Sequence, residues 1–106
     1  MKNSIYKTSA ATILMLGILS TNAVADDDLQ EMEAISKQFS LISFDEAKAK
    51  ALAAKLGVVK DADLENRKFS KGWDYEFEIV DADGKEWDVV IDAKTGKAGS
   101  IKRDWF

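Results

Sequence analysis

The chain has 106 residues, with 19 acidic and 15 basic side chains, a net charge of −4, and neither histidine nor cysteine. These absences remove the usual transition-metal ligands, the common general base, the thiol nucleophile and any disulfide. An acidic chain also repels phosphate backbones and anionic lipid surfaces, so neither nucleic acid nor a membrane is the expected partner.

The first 25 residues have the layout of a secretory signal peptide. Lys2 and Lys7 give a positive start, Ala10 to Leu19 is an apolar run, and Ala23-Val24-Ala25 is a small-x-small site followed by Asp26-Asp27-Asp28. The apolar run is shorter than the ~20 residues needed to span a bilayer. No arginine pair precedes it and no cysteine is available for lipidation, so the expectation is cleavage and a periplasmic or secreted protein. Removing residues 1–25 takes away two lysines and no acids. That leaves 13 basic and 19 acidic residues and a net charge near −6.

Asp26 to Gln38 reads as a short N-terminal helix or arm, within a segment 26–40. Met32, Ile35 and Phe39 recur at three and four residues, and acids sit at the positive end of the helix dipole. Ser43-Phe44-Asp45-Glu46 is a capping box. The alanine-rich helix behind it is predicted to run from Ala47 to Leu56 and stop at Gly57 as C′ residue, with Ala47, Ala51, Leu52 and Leu56 facing the core. Lys48 and Lys55 fall near the middle of that stripe and are expected to snorkel outward along their stems. Val58 to Asp63 reads as a connector, Leu64 to Ser70 as a weak first strand, and Lys71-Gly72 as its turn.

The clearest elements follow. Trp73, Tyr75, Phe77 and Ile79 alternate with Asp74, Glu76 and Glu78; Trp87, Val89 and Ile91 alternate with Glu86, Asp88 and Asp92. Period two marks strands with one buried and one wet face. Asp81-Ala82-Asp83-Gly84 between them is a hairpin turn. Ala93 to Lys97 is a second turn, and Ala98 to Arg103 a short last strand with Ile101 pointing inward. The expected class is α+β: one main helix on an antiparallel sheet of three or four strands, with a short N-terminal helix. Residues 41–106 form the single domain.

Five motifs in order resemble the PepSY domain. They are Ile42-Ser43-Phe44-Asp45-Glu46-Ala47 with Ala51-Leu52 and Gly57, then Tyr75 to Ile79, Asp83-Gly84-Lys85, Val89 to Asp92, and Thr95-Gly96-Lys97. The resemblance covers roughly Leu41 to Arg103. One departure is Ala98-Gly99, where the family commonly has a valine and an aliphatic residue. The resemblance implies a fold similar to a β-lactamase inhibitor protein and no common catalytic residues. It also implies roles of the kind met in thermolysin-like propeptides, germination proteins and small free-standing exported proteins.

The candidate functional features are non-enzymatic. Asp74, Glu76, Glu78, Glu86 and Asp88 form a carboxylate face. On an open sheet its pKa values are expected to stay ordinary, so it reads as a solvated face, with electrostatic docking of a basic partner as the sharper alternative to paired-carboxylate catalysis. Asp81-Ala82-Asp83-Gly84 looks like the start of a calcium loop, but Lys85 occupies the fifth position and Asp92 the twelfth, which favours a plain turn. Ser40, Ser43, Ser70 and Ser100 have no histidine to activate them, and no Ser-x-x-Lys motif of the acyl-transfer type stands out. Trp73, Tyr75, Phe77 and Trp87 read as core, with a ligand groove as the alternative. Trp105 and Phe106 either fold back on the core or anchor a partner.

No enzyme activity, cofactor or metal is therefore expected. The first functional reading is an exported interaction module that binds and restrains a peptidase. The alternatives are an accessory to an extracytoplasmic sensor kinase or another envelope protein, and a binder of small ligands or divalent metals.

Overall fold

A computed structural model describes residues 24–104. Helix α1 spans Asp26–Gln38 and helix α2 spans Phe44–Ala54. Strands β1 (Val58–Asn66), β2 (Trp73–Val80), β3 (Glu86–Asp92) and β4 (Ala98–Arg103) form one antiparallel sheet in that order. The class is α+β, with both helices on one face of the sheet. Residues 1–23, most of the expected signal peptide, and Trp105 and Phe106 lie outside the described residues.

The inner face is built by the period-two positions. Tyr75, Phe77, Ile79, Val89 and Ile91 are fully buried, each adding roughly 1.5–3 kcal/mol of burial. Register places Tyr75 opposite Ile91, Phe77 opposite Val89 and Ile79 opposite Trp87. Ala47 and Ala51 of α2 are also fully buried, and their small side chains let the helix sit close over this row. Phe44 fills the N-terminal end of that interface, 5.7 Å from the Phe77 ring and 6.5 Å from Tyr75 between centroids. The Tyr75 hydroxyl donates to Ile42 O at 2.8 Å, so its polar end is satisfied inside the core.

Helix α1 packs Met32 and Ser36 inward and ends on a Schellman pattern. Phe39 N bonds Ile35 O, Leu41 N bonds Ser36 O, and Ser40 takes the left-handed position at φ +57°. Phe39 itself is partly exposed but lies 5.1 Å from the Trp73 ring. Val24 is buried in the same cluster. Cleavage after Ala25 would take that side chain away.

Ser43 caps α2 as expected, its Oγ accepting from Glu46 N at 3.1 Å. The C-terminus differs from the expectation. The helix stops at Ala54, and Lys55 is extended at φ −147°, ψ 111°. This turn-out places the Lys55 ammonium 4.0 Å from the Trp87 ring centroid and 3.9 Å from Asp81 Oδ2, an outward snorkel onto an aromatic face. Leu56, expected in the core, is 80 % exposed because it lies beyond the helix. Gly57 is not a helix C′ residue. It sits close against the end of β2: a Cβ there would lie 2.4 Å from Val80 O.

The predicted connector Val58–Asp63 is instead most of strand β1, and only Leu64 to Asn66 of the expected first strand are strand. The cause is a bulge between Val59 and Asp61. It puts Lys60 and Asp61 together on the outer side and makes the inward positions Val59, Ala62 and Leu64, which breaks period two. Residues 67–72 form the loop to β2, closed by Arg67 N donating to Gly72 O at 2.9 Å. Ile101 pairs with Val89 and so shares the helix-side face, but on the edge strand β4 it is 41 % exposed.

Candidate functional site

Both helices lie on the inner face, so among the described residues the outer face of the sheet is open. Cross-strand rows fill it with carboxylates. Asp61, Glu78 and Asp88 make one row that ends on Lys102; Asp63 and Glu76 make the next with Val90; Glu65, Asp74 and Asp92 make a third. Glu86 and Asp104 add two more at one end, linked by Asp104 N donating to Glu86 O. The sequence-predicted residues Asp74, Glu76, Glu78, Glu86 and Asp88 are thus brought together. Asp61, Asp63, Asp92 and Asp104 join them.

Two basic side chains neutralise the ends of this face. Lys60, projected outward by the bulge, reaches Glu86 Oε2 at 2.9 Å and Glu78 Oε1 at 3.9 Å. At the other end the Arg67 guanidinium grips Asp74 through Nε and Nη2 and Asp92 through Nη2, at 2.6–2.9 Å, while Nη1 donates to Lys71 O. All three strands at that end are tied by one planar cation, a bidentate use that lysine does not reproduce. Asp92 also accepts from Lys94 N and Thr95 N. Its pKa falls to about 2, first through Arg67 and then through the turn amides.

The middle of the face behaves differently from the expectation of ordinary titration. Asp63, Glu76, Glu78 and Asp88 all have raised pKa values, through burial first and repulsion from neighbouring carboxylates, with Lys60 opposing the shift at Glu78. Glu76, Glu78 and Asp88 are half-buried on the sheet, Asp63 is exposed on the edge strand β1, and each has carboxylates beside it. Two sets, Asp63 with Glu65 and Glu76, and Glu78 with Asp88 and Asp104, each bring carboxylate oxygens within 4.8 Å of one another. Such oxygen-only sets suit hard divalent cations.

Asp81 is engaged otherwise. Its Oδ1 accepts from Asp83 N and Lys85 N, and its Oδ2 accepts from the Trp87 indole at 2.8 Å. The Lys85 amide leads in holding its pKa down. The carboxylate belongs to the hairpin, in line with a turn rather than a calcium loop. Tyr75 and Phe77 are core, while Trp73 and Trp87 are half-buried at the two ends of their row. Ser36, Ser43 and Phe44 border a shallow cleft between the helices.

Sequence reasoning missed Arg67, whose role depends on three strands meeting, and Phe69, fully exposed at the tip of the β1–β2 loop. It also missed Val90, which breaks the carboxylate pattern on the outer face.

The opposite shifts give stability a maximum in pH. A carboxylate with a raised pKa destabilises the fold when ionised, and this is relieved as pH falls through its folded value toward 4.5 for Glu76 and Glu78 and 3.8 for Asp63 and Asp88. Asp92 acts in reverse: its contribution is complete above 3.8 and lost as pH falls toward 2. Urea midpoints are therefore expected to rise as pH falls from 7 toward 4.5 and to drop once it falls through 3.8 toward 2. A midpoint that falls steadily from pH 7 downward would contradict the raised values.

The family model described as peptidase propeptide and YPEB domain, PepSY, matches residues 41–98. That range runs from the loop before α2 to the first residue of β4. No curated protein and no solved structure matches the chain.

Proposed function

The chain belongs to the PepSY family, and we propose that it is an exported, non-enzymatic interaction module whose carboxylate sheet face docks a basic surface of a protein partner. PepSY domains are known in peptidase propeptides and interaction modules, which supports a protein partner and the absence of catalysis. The observation that carries the reading is the open outer face itself. Neither helix covers it, and its central carboxylates repel one another, so a basic partner would relieve a cost that the isolated protein bears.

In its sharpest form the partner is a peptidase that the module restrains sterically, with the exposed Phe69 loop entering a cleft as an aromatic anchor. The predicted signal segment and an extracytoplasmic location fit that role. A sensor-kinase domain or other envelope protein is the alternative partner. The two carboxylate sets support a divalent-cation reading, which calorimetric heat on adding calcium would favour.

The test is inhibition of a metallopeptidase exported by the same cell. Stoichiometric protein is expected to slow it. The Glu76→Gln/Glu78→Gln/Asp88→Asn variant is expected to weaken binding at least tenfold, and high salt to weaken the native protein similarly. If the purified protein neither binds nor slows any co-exported peptidase, restraint of a peptidase is ruled out.

A further inference from the structure

We propose that the carboxylate face recognises an extended segment that carries a basic residue two positions from an aliphatic one, the aliphatic side chain seating in a notch over Val90. This deepens, and rests on, the reading of that face as a docking surface. The notch is an open cleft of about 290 Å³ with Val90, Ala98 and Gly99 at its apolar end. Its volume is at the lower edge of ligand pockets, and an aliphatic side chain of an extended segment fits in it with room to spare.

Its cause is a missing side chain. A Cβ at Gly99 would lie 3.9 Å from Val90 Cβ and Cγ1, ordinary packing distance, so any larger residue there would cover Val90. Among the described residues, glycine leaves Val90 half-buried, an apolar floor within a charged face. The backbone does not demand glycine, because Gly99 lies outside the positive-φ residues of the chain.

The charge around the notch selects what accompanies the aliphatic group. Glu76 pairs with Val90 across the strands, and Asp88 lies two residues from Val90 on the same face of β3. Both border a smaller dip lined by carboxylates, with Asp61, Asp63 and Glu78. On the opposite rim Arg67 is already neutralised by Asp74 and Asp92. Lys97, at the β3–β4 turn, keeps the partner's cations on the Glu76 and Asp88 side. Alternate residues on one side of an extended chain are roughly 6.6–6.8 Å apart, the same step as Asp88 to Val90 along β3. A lysine or arginine at one position and leucine, isoleucine or valine two later therefore meets both features at once.

The experiment uses two labelled peptides, Gly-Lys-Ser-Leu-Ser-Lys-Gly and the same peptide with glycine for leucine, titrated against the purified protein by fluorescence anisotropy. The leucine peptide is expected to bind at least fivefold tighter. It is also expected to move the Val90 and Gly99 amide signals in nitrogen-15 spectra. Gly99→Val fills the notch and is expected to abolish the fivefold preference while leaving the weaker binding of the glycine peptide. Val90→Thr, which keeps the side-chain shape, is expected to reduce the preference as well, and thermal melts confirm that both variants fold. If both peptides bind equally and Glu76→Gln/Asp88→Asn weakens them together, the notch is refuted and the charged docking face stands. If Gly99→Val keeps the leucine preference, the notch is likewise refuted. If neither peptide binds at low salt, the docking face falls with it.

Discussion

Replacing Phe77 by alanine removes about 3–5 kcal/mol of stability, a large share of what a domain of this size has. Phe77 is fully buried at the centre of the sheet, opposite Val89 on one side and Ala62 on the other, with the Phe44 ring above it. Its partners Phe44, Tyr75 and Val89 are already packed into the core, so the space does not simply close. A domain of this size has on the order of 5–15 kcal/mol in total, and this one has no disulfide to limit the loss. Urea unfolding followed by circular dichroism measures the effect, and Phe77→Leu is expected to lose much less. A loss under about 1 kcal/mol for the alanine variant would mean that the α2–sheet interface is not the stabilising core.

Much of this architecture was legible before the structure, and the reason is local. Tyr75, Phe77 and Ile79 announce their strand because every second residue faces the same surface and no irregularity intervenes. Ser43 announces its helix because a cap needs only a hydroxyl and an amide three residues on. What was not legible depends on contacts between distant segments. The bulge at Lys60 turns an apparent connector into strand β1, since Val59 and Ala62 face inward three apart and Leu64 two further on, a combination that neither helix nor strand periodicity fits. Leu56 looks like a core residue on a helical wheel, yet the helix has ended because Lys55 turns out toward Trp87 and Asp81.

The candidate site divides in the same way. The carboxylates of β2 and β3 were evident from alternation. Their raised pKa values were not, because they arise from burial on the sheet and from Asp63 and Asp104, which sequence places far away. Arg67 is the clearest case. It lies at the start of a loop in the sequence, but it joins Asp74 and Asp92 because those two residues pair across β2 and β3. The Val90 notch was half visible, in the Ala98-Gly99 departure from the family's usual pair; only the β3–β4 register shows which side chain the glycine leaves bare.

Gly57→Ala is expected to cost about 2–4 kcal/mol, more than the ~1–2 kcal/mol lost when a helix-ending glycine in the left-handed region gains a Cβ. The difference tests the corrected role of this residue. A Cβ at position 57 would lie 2.4 Å from Val80 O and 2.6 Å from Ile79 Cγ2, at a φ of +157°. Those atoms belong to the end of β2, where Val58 pairs with Val80, so the added methyl pushes the first residues of β1 off the sheet. The two contacts separate in a double-mutant cycle. Ile79→Leu removes the γ-methyl but not the carbonyl, and side chains yield more readily than a hydrogen-bonded backbone. Ile79→Leu in the Gly57→Ala background is therefore expected to restore under a third of the loss. Full restoration would assign the constraint to side-chain packing. A cost of only ~1 kcal/mol for Gly57→Ala would return the glycine to the helix-ending role that its sequence position suggests.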